Sequence, residues 1–202
     1  MRNLVRGAVA GAVGTAAMDL LWYVRYRRGG GDTDFVDWET SAGLNSWDNA
    51  PAPARFGKLI SERTLHRELP AEQARLTNNV VHWATGVGWG AVFGLVSGSL
   101  TSRRLWHGLA FGAGVLLQSY AVLVPAKLYQ PPWKYDPKTL TEDLSAHLVY
   151  GLSTASTFRV LATTAGVLHH EYHEARRRVV SDRLAQLELH ARYRIGQPHD
   201  PH

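Results

Sequence analysis

The chain has 202 residues, which suits a single domain, and carries 22 Lys and Arg against 17 Asp and Glu for a formal net charge of +5. The basic excess is spread out with no dense run, so nucleic acid is not an expected partner. The absence of Cys excludes disulfides, thiolate zinc sites and thiol nucleophiles. Mean hydropathy of −0.19 averages two polar regions, 25–78 and 169–202, with four apolar segments.

The first apolar segment, 7–24, carries Gly7 and Gly11 one helical turn apart and a single acid, Asp19. Arg2 and Arg6 precede it as in a leader peptide. Its glycines and the extension through Leu20–Trp22 make a retained span the expectation, rather than a cleaved one. Loop 25–78 follows. It holds Gly29-Gly30-Gly31, the acids Asp32, Asp34 and Asp37 beside Trp38, and then Pro51 and Pro53. These prolines predict the start of a surface helix over 55–69, with Phe56, Leu59 and Ile60 on one side and Pro70 at its end. Such a helix is expected to pack over the mouth of the bundle.

The second segment, 80–102, has no charge after Trp83 until Arg103, and places Gly86, Gly90, Gly94 and Gly98 at intervals of four. In a soluble helix each interior Gly costs about 1 kcal/mol relative to Ala. In lipid the same stripe lets two helix backbones approach closely. The third segment, 105–126, opens with Gly108 and Gly112 and is uncharged from Gly108 to Ala126. The fourth, 144–168, holds His147 and Arg159 among many Ser and Thr. Arg159 is placed to snorkel toward headgroups.

A membrane span needs roughly 20 mostly apolar residues. Segments two and three meet that alone, and one and four become plausible beside them. Trp22, Tyr23, Trp83, Trp106, Tyr129 and Trp133 sit near segment ends, where an aromatic belt belongs. The expected fold is therefore all-α: a four-helix transmembrane bundle over 1–168, followed by a His-rich amphipathic tail over 169–202. Arg2, Arg6, Arg103, Arg104 and Arg176–Arg178 favour both termini on the cytoplasmic side by the positive-inside rule, against Lys127, Lys134 and Lys138 between the last two segments and a long first loop whose eight Lys and Arg are balanced by eight acids.

Internal similarity accompanies this pattern. Gly7-x3-Gly11-Ala12 matches Gly108-x3-Gly112-Ala113, and His82-x3-Gly86 matches His147-x3-Gly151. Two parallel helical-hairpin repeats, related by an axis along the membrane normal, are expected.

At 1.5 Å per residue, Asp19, His82, Gln118, Ser119 and His147 fall in one polar layer in the outer half of the bundle. Intramembrane ionisable groups face the interior or water. Three roles suit the layer. Asp19 pairs with a His and fixes helix register. The same groups form a titratable site coupled to conformational change. Or His82 and His147 serve as paired axial ligands of a haem.

The tail contributes His169, His170, His173, His190, His199 and His202. His169 and His173 are four apart, but no convergent set of three or four ligands is readable, so no metal site is expected there. Val180, Leu184, Leu187 and Ala191 form a stripe that predicts an amphipathic helix on the membrane face.

Leu105-Trp106-His107-Gly108-Leu109, Gly112-Ala113, Pro125-Ala126-Lys127, Pro131-Pro132, Glu142 and His147-Leu148-Val149 resemble YagU-like bacterial inner-membrane proteins. The similarity is firmest over 105–151. It implies a small multi-pass protein of the bacterial cytoplasmic membrane, and brings no reaction and no catalytic residue.

No nucleophile–base pair, phosphate loop or metal quartet is readable, so the chain is expected to be non-enzymatic and without cofactor. Its expected role is a structural or stress-related membrane component. The alternatives are a small proton- or ion-linked transport unit and a bis-His haem protein. The lipid bilayer is its expected partner, with a second copy through the glycine faces or another membrane protein as the further candidates.

Overall fold

The computed structural model describes residues 1–98 and 106–164. Met1–Val160 forms one compact unit and Leu161–His202 a second, and the contacts below lie within the first. The tail expected over 169–202 falls outside the described residues, as do the ends of the spans expected at 99–102, 105 and 165–168.

The protein is all-helical, with no strand among the described residues. In chain order the helices are α1 (Arg2–Arg28), α2 (Phe35–Glu39), α3 (Ala52–Thr64), α4 (Ala74–Gly98), α5 (Trp106–Leu123) and α6 (137–164). Two of them, Arg2–Arg28 and the stretch Ala71–Gly98, are long and apolar enough to cross a membrane.

Boundaries differ from the sequence expectation in ways that local chemistry explains. α1 runs on past residue 24 through a basic last turn, Arg25, Arg27 and Arg28, which suits the negative end of the helix dipole. It stops where Gly30 takes φ +93°, a conformation glycine adopts without steric cost, while the Gly31 N–H reaches back to the Tyr26 carbonyl at 3.0 Å. α3 begins earlier than expected, at Ala52, with proline in its first turn, where no backbone donor is lost. α4 begins at Ala74, after the Ala71–Gln73 turn that follows Pro70. The short α2 was not expected from sequence.

The buried face of α1 is Gly7, Ala10, Gly11, Gly14, Thr15 and Asp19. These small or polar residues recur every three to four positions, so the face is a backbone groove. α4 lies antiparallel in that groove. A Cβ built on Gly7 would meet Gly90 O and Gly94, and one on Gly11 would meet Gly86 O and Gly90. Gly86 abuts Thr15, and Gly98 abuts the Asn3 side chain. Gly88, off the stripe, has nothing within 4 Å of a built Cβ.

α5 and α6 pair in the same way. A Cβ on Gly108 would meet Gly151 O and the Ala155 Cβ, both at 2.6 Å, and one on Gly112 would meet the backbone of His147 and Gly151. The contacts match those of the first pair when Gly90 corresponds to Gly151, Gly86 to His147 and Gly94 to Ala155. This corrects the sequence alignment of His82 with His147 by one helical turn. The reason is that a pattern repeating every four residues is self-similar under a four-residue shift, so spacing alone leaves the register open.

In the corrected register Asp19 corresponds to Tyr120 and His82 to Asp143. Both pairs are hydrogen-bonded: Asp19 Oδ2 to His82 Nε2 at 2.9 Å, and Tyr120 Oη to Asp143 Oδ2 at 3.2 Å. Each helix pair thus carries one polar tie, two turns beyond its glycine crossing and on the same side of it.

The two pairs meet through aromatic and small residues. Gly14 lies against Tyr150 and Thr154, and Phe93 packs on Phe111 at 4.8 Å and Phe158 at 5.8 Å. Arg25 donates to the Glu142 carbonyl at 2.9 Å and to Ser145 Oγ at 2.7 Å, tying the end of α1 to the start of α6. Tyr150 Oη donates to the Gly86 carbonyl at 2.7 Å. Tyr150→Phe keeps the ring and loses that bond between α6 and α4. The expected cost is about 1 kcal/mol, read as a fall in melting temperature of roughly 2–4 °C in detergent.

Candidate functional site

The end of the helix cluster that carries both long connections holds a half-open cavity of about 710 Å3. Each of the four long helices lines it. α1 contributes Thr15, Asp19 and Trp22, α4 contributes His82 and Trp89, α5 contributes Gln118 and Ser119, and α6 contributes Asp143, His147 and Tyr150. Phe56 of α3 and Tyr129 also reach the wall. All five residues of the expected polar layer, Asp19, His82, Gln118, Ser119 and His147, therefore border one space.

The glycine pattern explains why a cavity forms there. Glycine crossings hold each helix pair close around Gly90 and Gly151. Beyond them, larger side chains such as Asp19 with His82 and Tyr120 with Asp143 occupy the interface. α3 rests on the start of α4, with Gly57 against Thr77 and Val81. It covers this end of the cluster as expected, though it spans Ala52–Thr64 instead of 55–69.

Within the cavity wall Asp19 is 5% exposed. Its partner His82 is less enclosed, with a side-chain exposure of 27%. The His147 ring is held by its own helix, Nδ1 lying 2.8 Å from the Asp143 carbonyl oxygen. Ser119 Oγ likewise donates to the Val115 carbonyl at 3.0 Å. As haem ligands the two histidines are unequally placed. His147 lies one turn deeper than His82 in the corrected register, and His82 Nε2 is already engaged by Asp19.

Glu39 is the residue that sequence reading missed. It ends α2, which an aromatic cluster pins to the end of α1: Tyr23 packs on Phe35 at 5.1 Å and on Trp38 at 5.4 Å. The residues after it are tied to α4. Arg75 Nη2 donates to Thr40 Oγ1 at 2.9 Å, Asn79 Nδ2 to the Thr40 carbonyl at 2.8 Å, and Asn78 Nδ2 to Ser41 Oγ at 3.0 Å. This frame holds the Glu39 carboxylate over the Asp19–His82 pair. One ligand atom from each of Asp19, Glu39 and His82 lies within 4.8 Å of the others. Glu39 Oε1 is buried with no hydrogen-bond partner. Burial, then the charge of Asp19, pushes the Glu39 carboxyl above the usual carboxylate range, with His82 and Trp83 partly offsetting both.

Tyr129, on the 124–136 connection, also faces this end. Burial, followed by the charge of Asp143, pushes its phenol up to about 12, so it stays neutral at physiological pH.

Comparison with protein-family models, with curated proteins and with solved structures finds no match for this chain. The YagU-like resemblance gains no support from them.

Proposed function

We propose that the chain is a non-enzymatic integral membrane protein, a four-helix transmembrane bundle acting as a small ion-linked transport unit whose ion reaches the polar groups set in a largely apolar cavity. The observation that carries this reading is the cavity itself, with Asp19, His82, Gln118, Ser119, Asp143 and His147 converging from four helices on one half-open space. A purely structural bundle has no need of such a space, which would be filled by apolar side chains at less cost.

The membrane setting is supported by the outward faces. Only 33% of the apolar window of Arg2–Arg28 and 22% of that of Ala71–Gly98 is buried within the protein, whereas the core helix of a soluble protein is mostly covered. Leu4, Val5, Val9, Val13 and Leu20 of α1 are exposed, as are Val92, Leu95 and Val96 of α4, Leu109 and Leu117 of α5, and Leu152 and Val160 of α6. Apolar surface of this extent is costly in water and neutral in lipid. Small residues at the helix contacts and apolar residues outside them are the arrangement membrane helices use. Arg2, Arg6, Arg103 and Arg104 support both termini inside, against Arg25, Arg27 and Arg28 at the other end of α1.

Single cysteines in the Cys-free chain test this. In intact cells a membrane-impermeant thiol reagent is expected to label Asn49→Cys in the first loop and Ser119→Cys in the cavity. It is expected to spare Arg2→Cys on the inner side and Leu117→Cys, whose parent residue is 69% exposed and would face lipid. In vesicles with a potassium chloride gradient the parent is expected to develop a cation diffusion potential, and Ser119→Trp, which fills the cavity, to abolish it. Labelling of Leu117→Cys but not Ser119→Cys, or no potential from the parent, overturns the proposal.

A further inference from the structure

We infer that Asp19, Glu39 and His82 form a binding site for a divalent first-row transition-metal ion, of which Zn2+ is the simplest probe. This adds a bound-ion site at the wall of the cavity described above and rests on that reading only in so far as two of the three ligands, Asp19 and His82, line the wall.

The donor set argues for this class. Two carboxylates and one imidazole give a net charge of −2 when the carboxylates are ionised and the imidazole is neutral, which a dication cancels. Imidazole nitrogen favours zinc, iron, nickel or copper over calcium and magnesium, and none of the three ligands is a thiolate or thioether that would prefer a soft monovalent ion. Three protein ligands with a remaining position facing a cavity is the arrangement of a metal site that exchanges water or a second ligand.

Geometry brings these groups together at evident cost unless something joins them. Asp19 comes from α1, His82 from α4 and Glu39 from the short helix between them, with ligand atoms all within 4.8 Å. Asp19 is buried, and Glu39, itself half-buried and within hydrogen-bonding reach of Trp83 and Asp19, keeps one buried oxygen, Oε1, without a hydrogen-bond partner. An unpartnered buried carboxylate oxygen beside a second buried carboxylate is unfavourable, through desolvation and through like charge. A metal ion would satisfy Oε1 and replace the proton between His82 and Asp19. Glu39 also has support independent of any ion, since Arg75, Asn78 and Asn79 hold the adjoining Thr40 and Ser41. These contacts would orient the ligand, as outer partners do in metal sites.

The experiment is equilibrium dialysis of the full chain in detergent against Zn2+, with metal analysis and thermal melting. The His-rich tail is the obvious competing binder, so its own variant is included. The parent is expected to hold one tight equivalent and to melt higher with Zn2+ than with chelator. Glu39→Gln, with the same helical circular dichroism, is expected to weaken that equivalent by roughly tenfold or more and to lose the rise in melting temperature. Asp19→Asn is expected to do the same, and His173→Gln in the tail to change neither. No tight equivalent in the parent, or an equivalent lost in His173→Gln and kept in Glu39→Gln, overturns the site. A cation diffusion potential without zinc binding would remove the metal site and leave the transport reading. Zinc binding without a potential would do the reverse.

Discussion

Gly90→Leu is expected to lower the melting temperature in detergent by roughly 6–12 °C, while Gly88→Leu leaves it nearly unchanged. The two glycines are two residues apart on α4 and face different surroundings. A Cβ on Gly90 would meet the Gly11 Cα and stand 2.5 Å from the Gly7 carbonyl oxygen, whereas one on Gly88 meets nothing within 4 Å. Both obstacles at Gly90 are backbone atoms, so no rotamer change relieves them and the helices must separate. Overpacking of this kind costs about 1–3 kcal/mol and sometimes more, and a whole isobutyl group against backbone belongs at the upper end. At Gly88 the substitution adds helix propensity and apolar surface without a clash. Equal losses at both positions would show that the stripe does not set the α1–α4 contact.

The physical basis of that difference was largely legible in the sequence. Glycines at intervals of four on an uncharged helix have one economical use, close backbone approach, and α1 offers the matching Gly7 and Gly11. Helix rise converts residue number into height and brings the polar groups to one end of the bundle, though not to one depth, since His147 lies a turn deeper than His82. Asp19, His82, Gln118, Ser119 and His147 accordingly border the same cavity. Register was not legible. A four-residue pattern looks the same after a four-residue slip, and His147 proved equivalent to Gly86. Nor was Glu39. It lies twenty positions from Asp19 in a loop with no periodic signal, and its place depends on α2 being pinned by Tyr23 and on Thr40 being held by α4. Such contacts are tertiary, and nothing local in the segment encodes them.

The corrected register makes its own prediction in the second helix pair. If Gly112 stands to α6 as Gly11 stands to α4, Gly112→Leu should cost about as much as Gly11→Leu, again about 3 kcal/mol. Gly112 has the His147 carbonyl against a built Cβ and the Gly151 Cα at 3.3 Å, while Gly114 has nothing within 4 Å. Gly114→Leu is therefore the matched control, and its melting temperature should stay near the parent's. The two crossings share no residue, so the losses from Gly11→Leu and Gly112→Leu should add in the double variant to within about 0.5 kcal/mol. Strong coupling between them would mean that the pairs yield as one body, through Gly14 against Tyr150 and Thr154. A negligible cost at Gly112 would remove the second crossing, and with it the correspondence of the Tyr120–Asp143 tie to Asp19–His82.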